Sequence, residues 1–237
     1  MKNKLFLPVI LLLINFFTCF AQQKIVQNQL LSDTRWLHFG FTLGLNAQDF
    51  GIVHSNAVDP LTRHSYYMEV PNYKPGFTVG VISDLKIIES LNLRFVPTLN
   101  FGDRSLIFVN ELQQEERKSQ MLKSTLLYFP LYLKYRSERT NNYRPYLIGG
   151  GGLTVNLSRE KGDLILLKPY DVMVEFGVGC DFYLPYFKLA PELKFCLGLM
   201  DVLERDRGDL YSKDDEKYTR ALTRLTNRMI VLVFNFE

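Results

Sequence analysis

The sequence predicts an all-β fold, an eight-stranded antiparallel transmembrane β-barrel with short periplasmic turns and long outer loops. Three observations lead to this prediction: an export signal at the N-terminus, eight segments in which apolar and polar residues alternate, and connections that are alternately long and short. Only helices and closed barrels pair every backbone polar group within lipid. Beyond the signal, no segment has the ~20 apolar residues that a spanning helix needs.

The N-terminus has the features of a secretory signal peptide. Lys2 and Lys4 precede an apolar run, and Cys19-Phe20-Ala21 forms a small-x-small cleavage site. A lipoprotein role for Cys19 is the alternative, but Thr18 before it fits that motif poorly. The predicted organisation is a signal peptide over 1–21, a periplasmic N-terminal segment over 22–36 and the barrel over 37–237.

The composition argues against several classes of protein. Removing residues 1–21 removes two lysines and no acid, so the formal charge falls from +3 to +1. This balance gives no reason to expect a nucleic-acid partner. Cys180 and Cys196 are the only cysteines left, which is too few for a disulfide framework. We expect no cofactor, and outer-membrane lipid as the surrounding medium.

The first three segments establish the strand pattern, in which successive side chains point to opposite faces. In the first, over 37–46, every second residue is apolar: Leu37, Phe39, Phe41, Leu43 and Leu45. The second, over 76–83, places Phe77, Val79 and Val81 opposite glycines and a threonine. The third, over 91–102, sets Leu93 and Phe95 against Asn92 and Arg94. Each is close to the length that a tilted strand needs to cross a bilayer.

The remaining five segments continue the alternation, and they run over 126–136, 144–157, 170–184, 187–200 and 229–237. The last has the least certain phase, because Met229, Val231 and Val233 make its second face apolar as well. Tyr and Phe are frequent at the segment ends, as in the interfacial girdles of membrane barrels. The chain ends in Phe234-Asn235-Phe236-Glu237, which is close to an aromatic terminal strand.

The connection lengths favour a membrane barrel over a soluble sandwich. The links after the first, third, fifth and seventh segments are roughly 30, 20, 12 and 25 residues long, whereas the others are short. Bacterial barrels have short periplasmic turns and long outer loops. This arrangement places both termini in the periplasm and all four long links outside.

Four consecutive glycines, Gly149 to Gly152, suggest a phosphate-binding loop at first sight. Such a loop lies between a strand and a helix and is followed by Lys and Ser or Thr, neither of which is present. Residues 153–157 alternate as a strand does. We therefore predict that the glycines form a strand kink that relieves crowding in a narrow barrel.

The inward phase of the segments carries charged residues of both signs. An eight-stranded barrel has room for little beyond side chains, and an unpaired buried charge is costly. We therefore predict a nearly neutral ionic network that fills the lumen and leaves no open channel; a proton or ion path is the alternative. The predicted members are Arg94, Lys134, Arg144, Asp171, Glu175, Asp181, Lys188, Glu192 and Lys194.

The outer loops offer weaker candidates. Tyr66, Tyr67, Met68 and Tyr73 in the first loop have the composition of a protein contact, or fold back over the barrel mouth. The last loop contains Arg207-Gly208-Asp209, a tripeptide used in adhesion, which also arises by chance in charged loops.

Catalysis has little support in the sequence. The three histidines are His38, His54 and His64, and the first outer loop also holds Ser55, Asp59 and Ser65. A Ser-His-Asp arrangement for acyl transfer on lipid is conceivable, but no motif spacing supports it. Metal-binding spacing is absent as well, so we expect a protein that is not an enzyme.

Two stretches resemble the PorT/SprT family. LHFGFTLGLNAQDFGI (37–52) is similar to the opening of these small barrels of Bacteroidota, and the later segment YFPLYLKYR (128–136) is also similar to them. FAQQ (20–23), which spans the predicted cleavage site, is similar to the same region of exported proteins of that phylum. The resemblance implies an accessory role in type IX secretion, the export of proteins with C-terminal sorting domains, and in some members gliding motility. It implies other secretion-machinery proteins as partners and carries no catalytic residues. The alternatives are a surface adhesion or ligand-binding protein, or a lipid-modifying enzyme.

Overall fold

The computed structural model describes residues 26–55, 66–69, 74–110, 118–159, 164–206, 219 and 221–237. The predicted signal peptide, 1–21, lies outside these residues. In the described part of the chain, no helix has the length and apolar character needed to cross a bilayer. The strands are β1 (Leu37–His54), β2 (Tyr66–Glu69), β3 (Pro75–Ile88), β4 (Leu91–Phe95), β5 (Thr98–Asn110), β6 (Lys118–Arg136), β7 (Tyr143–Asn156), β8 (Tyr170–Tyr183), β9 (Lys188–Gly198) and β10 (Leu222–Phe236).

The strands form one antiparallel sheet that closes on itself. Each of β6 to β9 pairs with the next strand in the chain. β1 pairs with both β10 and β3. β4 and β5 both pair with β3 and β6, so together they occupy one position in the ring. The short strand β2 adds to the far end of β5. The ring therefore has eight positions, and the predicted all-β barrel is confirmed.

The third predicted segment is two strands rather than one. Pro97 has no N–H to donate to a ladder, and the strand stops at Phe95 and resumes at Thr98. The inward and outward phases nevertheless continue across the break, because Arg94, Val96 and Thr98 are all buried. The carbonyl of Pro97 accepts a hydrogen bond from the Val81 N–H at 3.2 Å, so the wall stays paired there.

The two faces of the ring differ as the alternation predicts. Phe39 and Leu133 are more than half exposed on the outer wall, whereas Tyr132 and Lys134 are buried inside. The phase of β10 is also resolved: Met229, Val231 and Val233 are at most 4% exposed, and Ile230, Leu232 and Phe234 are 41% to 50% exposed. The inward residues of β10 pack with Tyr128, Met173 and Cys196 in the middle of the barrel.

The two ends of the barrel are distinguished by their connections. We define the turn end as the end with the β3–β4, β6–β7 and β8–β9 turns and Glu237, and the loop end as the opposite one. β1 has 18 residues and β6 has 19, more than the predicted segments and more than a bilayer requires. Many residues that were predicted to lie in the long links therefore belong to strands, and these strands extend beyond the membrane at the loop end.

An apolar cluster closes the loop end. Segment 164–167 turns into the barrel mouth, where Ile165 is fully buried and Leu167 forms a β-bridge with Leu203. The sequence showed no alternation at this segment, so its burial was not predicted. The other members are Phe50, Met68, Leu106, Phe108, Leu122, Leu164, Val202, Ala221, Leu222 and Leu225.

The segment before β1 closes the turn end. It contains a 3₁₀ turn at Ser32–Thr34. The Asn28 N–H donates to Asn142 Oδ1 at 2.8 Å, and Asn28 Nδ2 donates to the Tyr183 carbonyl at 3.0 Å. The described part of the predicted periplasmic segment is thus packed against the barrel turns.

The glycine run lies in the middle of β7. The pairing of β7 with β6 and with β8 passes through all four glycines without a register shift, so the predicted strand kink is not a break in the ladder. Gly150 faces inward, and a Cβ there would clash with the Leu131 carbonyl oxygen and would lie 2.9 Å from Cδ1 of Tyr132. At Gly149, on the outer face, the nearest atom would be 4.0 Å away. Crowding by the β6 backbone at Leu131 and by Tyr132 therefore explains Gly150.

We predict that Gly150→Ala destabilises the barrel, whereas Gly149→Ala does not. Forcing a methyl group against Tyr132 and the β6 backbone costs about 1–3 kcal/mol, the usual cost of overpacking. Urea unfolding in lipid vesicles, followed by the fluorescence of Trp36, measures the difference. Equal midpoints for the two variants would contradict the crowding explanation.

Candidate functional site

The lumen is the candidate functional site, since it collects the charged residues that the sequence singled out. All nine predicted side chains are buried: Arg94, Lys134, Arg144, Asp171, Glu175, Asp181, Lys188, Glu192 and Lys194. They come from β4 and from β6 to β9, so their proximity depends on closure of the ring.

Arg94 lies at the centre of the largest ionic cluster. Its Nε is 2.7 Å from Asp84 Oδ2, its Nη1 is 3.4 Å from Glu192 Oε2, and its Nη2 is 2.5 Å from Glu237 Oε1. These side chains are at most 2% exposed. Hydrogen-bonded ion pairs of this kind compensate for the removal of charges from water. Arg94 thereby joins β4 to β3, to β9 and to the last residue of the described chain.

The cluster extends across β8 and β9. Lys188 pairs with Glu237, and Lys194 Nζ lies 3.7 Å from Glu175 Oε2 and 3.8 Å from Glu192 Oε1. Two tyrosines complete it: Tyr146 donates its hydroxyl to Glu192 at 2.7 Å, and Tyr132 donates to Glu175. The large inward tyrosines therefore also serve as hydrogen-bond donors to buried carboxylates.

Lys134 and Asp181 form a separate, fully buried pair. Lys134 Nζ lies 2.8 Å and 2.9 Å from the two carboxylate oxygens, and both side chains are 0% exposed. The same ammonium lies 3.8 Å from the ring centroid of Tyr146, a cation–π distance. Since the pair is enclosed by β6, β7 and β8, each partner depends on the other for compensation.

At the turn end, Asp33 accepts contacts from several barrel residues. Arg144 and Arg139 approach its carboxylate at 3.3 Å and Arg136 at 3.6 Å, while the Tyr183 hydroxyl donates to it at 2.8 Å. Partial burial raises the pKa of Asp33, but the hydrogen bond from Tyr183 and the arginine charges outweigh it and hold the pKa below its ordinary value of 3.8. The predicted residue Arg144 thus binds the N-terminal segment to the barrel.

Near the loop end, Asp171 belongs to a polar layer below the apolar cluster. It accepts a hydrogen bond from Asn227 Nδ2 at 2.7 Å. Arg104 donates to Asn227 Oδ1 and to Gln48 Oε1, each at 2.8 Å, and its guanidinium carbon lies 4.1 Å from the ring centroid of Phe50. This layer separates the ionic cluster from the apolar closure.

Sequence reasoning missed Asp33, Asp84, Arg104 and Glu237. Asp84 and Arg104 follow directly on the second and third segments and keep their inward phase, so extending the alternation by two residues would have found both. Glu237 follows the nearly aromatic terminal strand and was not assigned to the lumen, but its side chain turns into it. Asp33 had no periodic signal because it precedes the first strand.

The candidates for catalysis are only partly described. The His54 ring packs edge-on against Tyr67 at 5.4 Å between centroids, and His38 Nε2 lies 2.8 Å from the Ser32 carbonyl oxygen. His64, Asp59 and Ser65 lie outside the described residues, as does the tripeptide 207–209. Among the residues that the structure describes, no group of His, Cys, Asp and Glu side chains could hold a metal ion.

The aromatic residues and Met68 of the first outer loop were expected either to contact another protein or to fold back over the barrel mouth. Met68 is 1% exposed and belongs to the apolar cluster, because β2 pairs with β5 and turns Met68 inward. The expectation of an exposed contact surface therefore does not hold for Met68. Tyr67 is half-buried. For Tyr66 only the backbone is described, and Tyr73 lies outside the described residues.

A closed antiparallel ring with an apolar outer wall and a charged, filled interior defines a transmembrane β-barrel. The chain belongs to the family described as outer membrane protein beta-barrel domain, which matches residues 20–204. It is therefore an outer-membrane β-barrel protein. No curated protein sequence matches it.

Several solved outer-membrane barrels are similar to the chain at low identity. Neisserial surface protein A is 10% identical, with 85% of this chain and 98% of that chain covered and a TM-score of 0.44. OprG from Pseudomonas aeruginosa is 13% identical, with 84% and 92% covered and a TM-score of 0.45. AlkL, determined in DMPC bilayers, is 11% identical, with 91% of each chain covered and a TM-score of 0.41.

We predict that Lys134→Met destabilises the barrel by about 3–5 kcal/mol, because it leaves Asp181 buried without its counter-charge. The double variant Lys134→Met/Asp181→Leu is expected to recover most of this loss, because an apolar pair replaces the ion pair. Urea midpoints of the single and double variants measure the effect. A double variant as unstable as the single one would show that packing, not charge, dominates there.

We also predict that acid releases the N-terminal segment. Because folding lowers the pKa of Asp33, its contribution is complete above the ordinary value of 3.8 and is lost as the pH falls through the lower folded value. Hydrogen exchange of residues 26–36 as a function of pH measures the release. Asp33→Asn should release the segment at neutral pH, whereas Asp201→Asn, at the loop end, should not.

Proposed function

We propose that this barrel is a non-enzymatic component of type IX protein secretion, acting through contacts at its ends rather than through its lumen. The observation that carries this proposal is the filled interior: the ionic cluster, the polar layer and the apolar cluster occupy successive levels. A lumen filled in this way has no room for an exported polypeptide. The resemblance of residues 37–52 and 128–136 to the PorT/SprT family supports the choice of secretion system.

The turn end is the surface that we assign to the partner, and we place it in the periplasm, where short barrel turns lie. Large apolar side chains are exposed around it, which is unusual for a surface in water. They are Val26 at 81%, Leu30 at 66%, Leu31 at 74%, Trp36 at 68% and Tyr186 at 95% exposed. Trp36 is suited to the lipid interface, so Leu31 and Tyr186 are the better candidates for protein contact.

The geometry of the N-terminal segment supports this assignment. Leu31 precedes the 3₁₀ turn that carries Asp33, and Gln29 Nε2 donates to the Leu184 carbonyl at 2.8 Å. The segment and the β8–β9 turn are therefore held together as one surface. Leu31 and Tyr186 both line a cavity of about 350 Å³ between them. Side chains that are positioned before binding lose less entropy when a partner docks.

The test is a gene deletion complemented by variants of the turn end. The deletion strain is expected to retain cargo with C-terminal sorting domains in the periplasm, and the wild-type gene to restore export. Leu31→Ser/Tyr186→Ser should reduce export at least about tenfold, since two apolar contacts at an interface centre are worth more than 1.4 kcal/mol. Val53→Ser, at an exposed apolar residue near the loop end, is the matched control.

Fractionation and immunoblotting measure the cargo, and the heat-dependent gel mobility of the barrel shows that each variant is folded. Normal secretion in the deletion strain would refute the secretion role. If attachment to a surface were lost instead, the adhesion alternative would take its place. Normal export by the turn-end variant, with export abolished in the deletion strain, would move the contact surface elsewhere.

A further inference from the structure

A groove runs along the outer wall of the barrel where β1, β10 and β9 adjoin. It has a volume of about 370 Å³, and six of its eight lining residues face outward; the inward residues Cys196 and Met229 complete the lining. Its outward-facing lining residues are Ala47, Asp49, Phe195, Leu197, Arg228 and Ile230. None of these residues belongs to the ionic network or to the exposed surface at the turn end.

The groove follows from the side-chain sizes along β1. Leu43 and Leu45 face outward and are large, but the next outward position toward the loop end is Ala47. Its partner on β10 is Ile230, which in turn pairs with Phe195 on β9. A small residue beside two large ones leaves a depression in the wall, and Ile230 and Phe195 form its apolar side.

Positive charge lies directly above the apolar part of the groove. Arg228 is the cross-strand partner of Asp49, and its side chain extends over Gly51, where an added Cβ would lie 2.7 Å from Nε. Arg224 faces outward four residues further along β10, with its Nη2 bound to the Leu199 carbonyl at 2.7 Å. Both arginines are exposed. Along the wall, an apolar groove is therefore followed by two guanidinium groups.

We propose that this groove binds one phosphorylated lipid of the leaflet at the loop end. An acyl chain lies along Ala47, Ile230 and Phe195, and the phosphate binds Arg228, with Arg224 beside it. Guanidinium groups bind phosphate through charge-assisted hydrogen bonds. The order of apolar groove and cationic rim matches the order of acyl chain and phosphate in a lipid whose headgroup lies at the membrane surface.

Asp49 affects how much the cationic rim and the apolar groove each contribute to binding. Its position beside Arg228 reduces the net positive charge, so the cationic rim alone holds a phosphate weakly. The groove alone offers an acyl chain little more than the surrounding lipid does. Affinity therefore requires both the apolar groove and the cationic rim, and a substitution in either one should weaken binding. In the proposed orientation this leaflet is the outer one, but the lipid site does not depend on a role in secretion.

The experiment uses the full-length mature barrel purified in detergent, with lipid A as the phosphorylated probe and its dephosphorylated form for comparison. Native mass spectrometry measures the bound lipid per barrel. Arg228→Gln and Ala47→Phe are each expected to weaken binding of lipid A about tenfold, the loss of one charge-assisted hydrogen bond or of the acyl contact.

Two variants control for effects on the wall in general. Lys123→Gln removes an outward base at the loop end of β6, and Ser83→Phe adds an aromatic ring to the outer face of β3. Both should bind lipid A as the wild type does. If Ala47→Phe does not fold, Ala47→Leu fills the groove with a smaller side chain.

Three results would overturn the proposal. Equal binding by wild type and Arg228→Gln would remove the phosphate contact. Equal binding by the wild type and the groove-filling variant would remove the acyl site. Equal affinity for lipid A and its dephosphorylated form would show that the barrel merely collects lipid non-specifically. Loss of binding in the two site variants, with both controls unchanged, would establish the site.

Discussion

The ionic cluster around Arg94 is the interaction on which the rest of the interior depends. One guanidinium compensates carboxylates from β3, from β9 and from the residue after β10, all removed from water. In a low-dielectric interior, a charge left without its partner costs about 3–5 kcal/mol. The cluster can therefore be complete only when the ring is closed. Closure in turn hydrogen-bonds β1 to both β3 and β10.

Because the lumen is filled, partners can bind only at the surfaces of the barrel. Below the cluster, Asp33 joins the N-terminal segment to arginines of the turns; above it, Arg104 and the apolar cluster close the loop end. What remains accessible is the outer wall and the two rims. Both proposed contacts, a protein at the turn end and a phosphorylated lipid on the wall, lie on those surfaces.

The alternation made most of the barrel predictable, because a strand in a ring has one face toward lipid and one toward the interior. The same rule predicts that Lys134 and Asp181 are buried, although it does not predict that they contact each other. It underestimated the strands, since β1 continues to His54 and β5 to Asn110. Polar and apolar residues no longer need to alternate beyond the lipid, so the signal fades there although the hydrogen-bonded ladder continues.

The sequence by itself determined most of the strands, the faces of all but the last, and nine of the charged residues that enter the lumen, since these follow from a two-residue period that is local in the chain. Only the tertiary structure decided which residues contact one another. Glu237 pairs with Arg94, Asp33 pairs with Arg144, Met68 packs into the apolar cluster, and Ala47 and Phe195 flank Ile230 of β10. These pairings join residues far apart in the chain. They depend on strand register and ring closure, about which a periodic pattern carries no information.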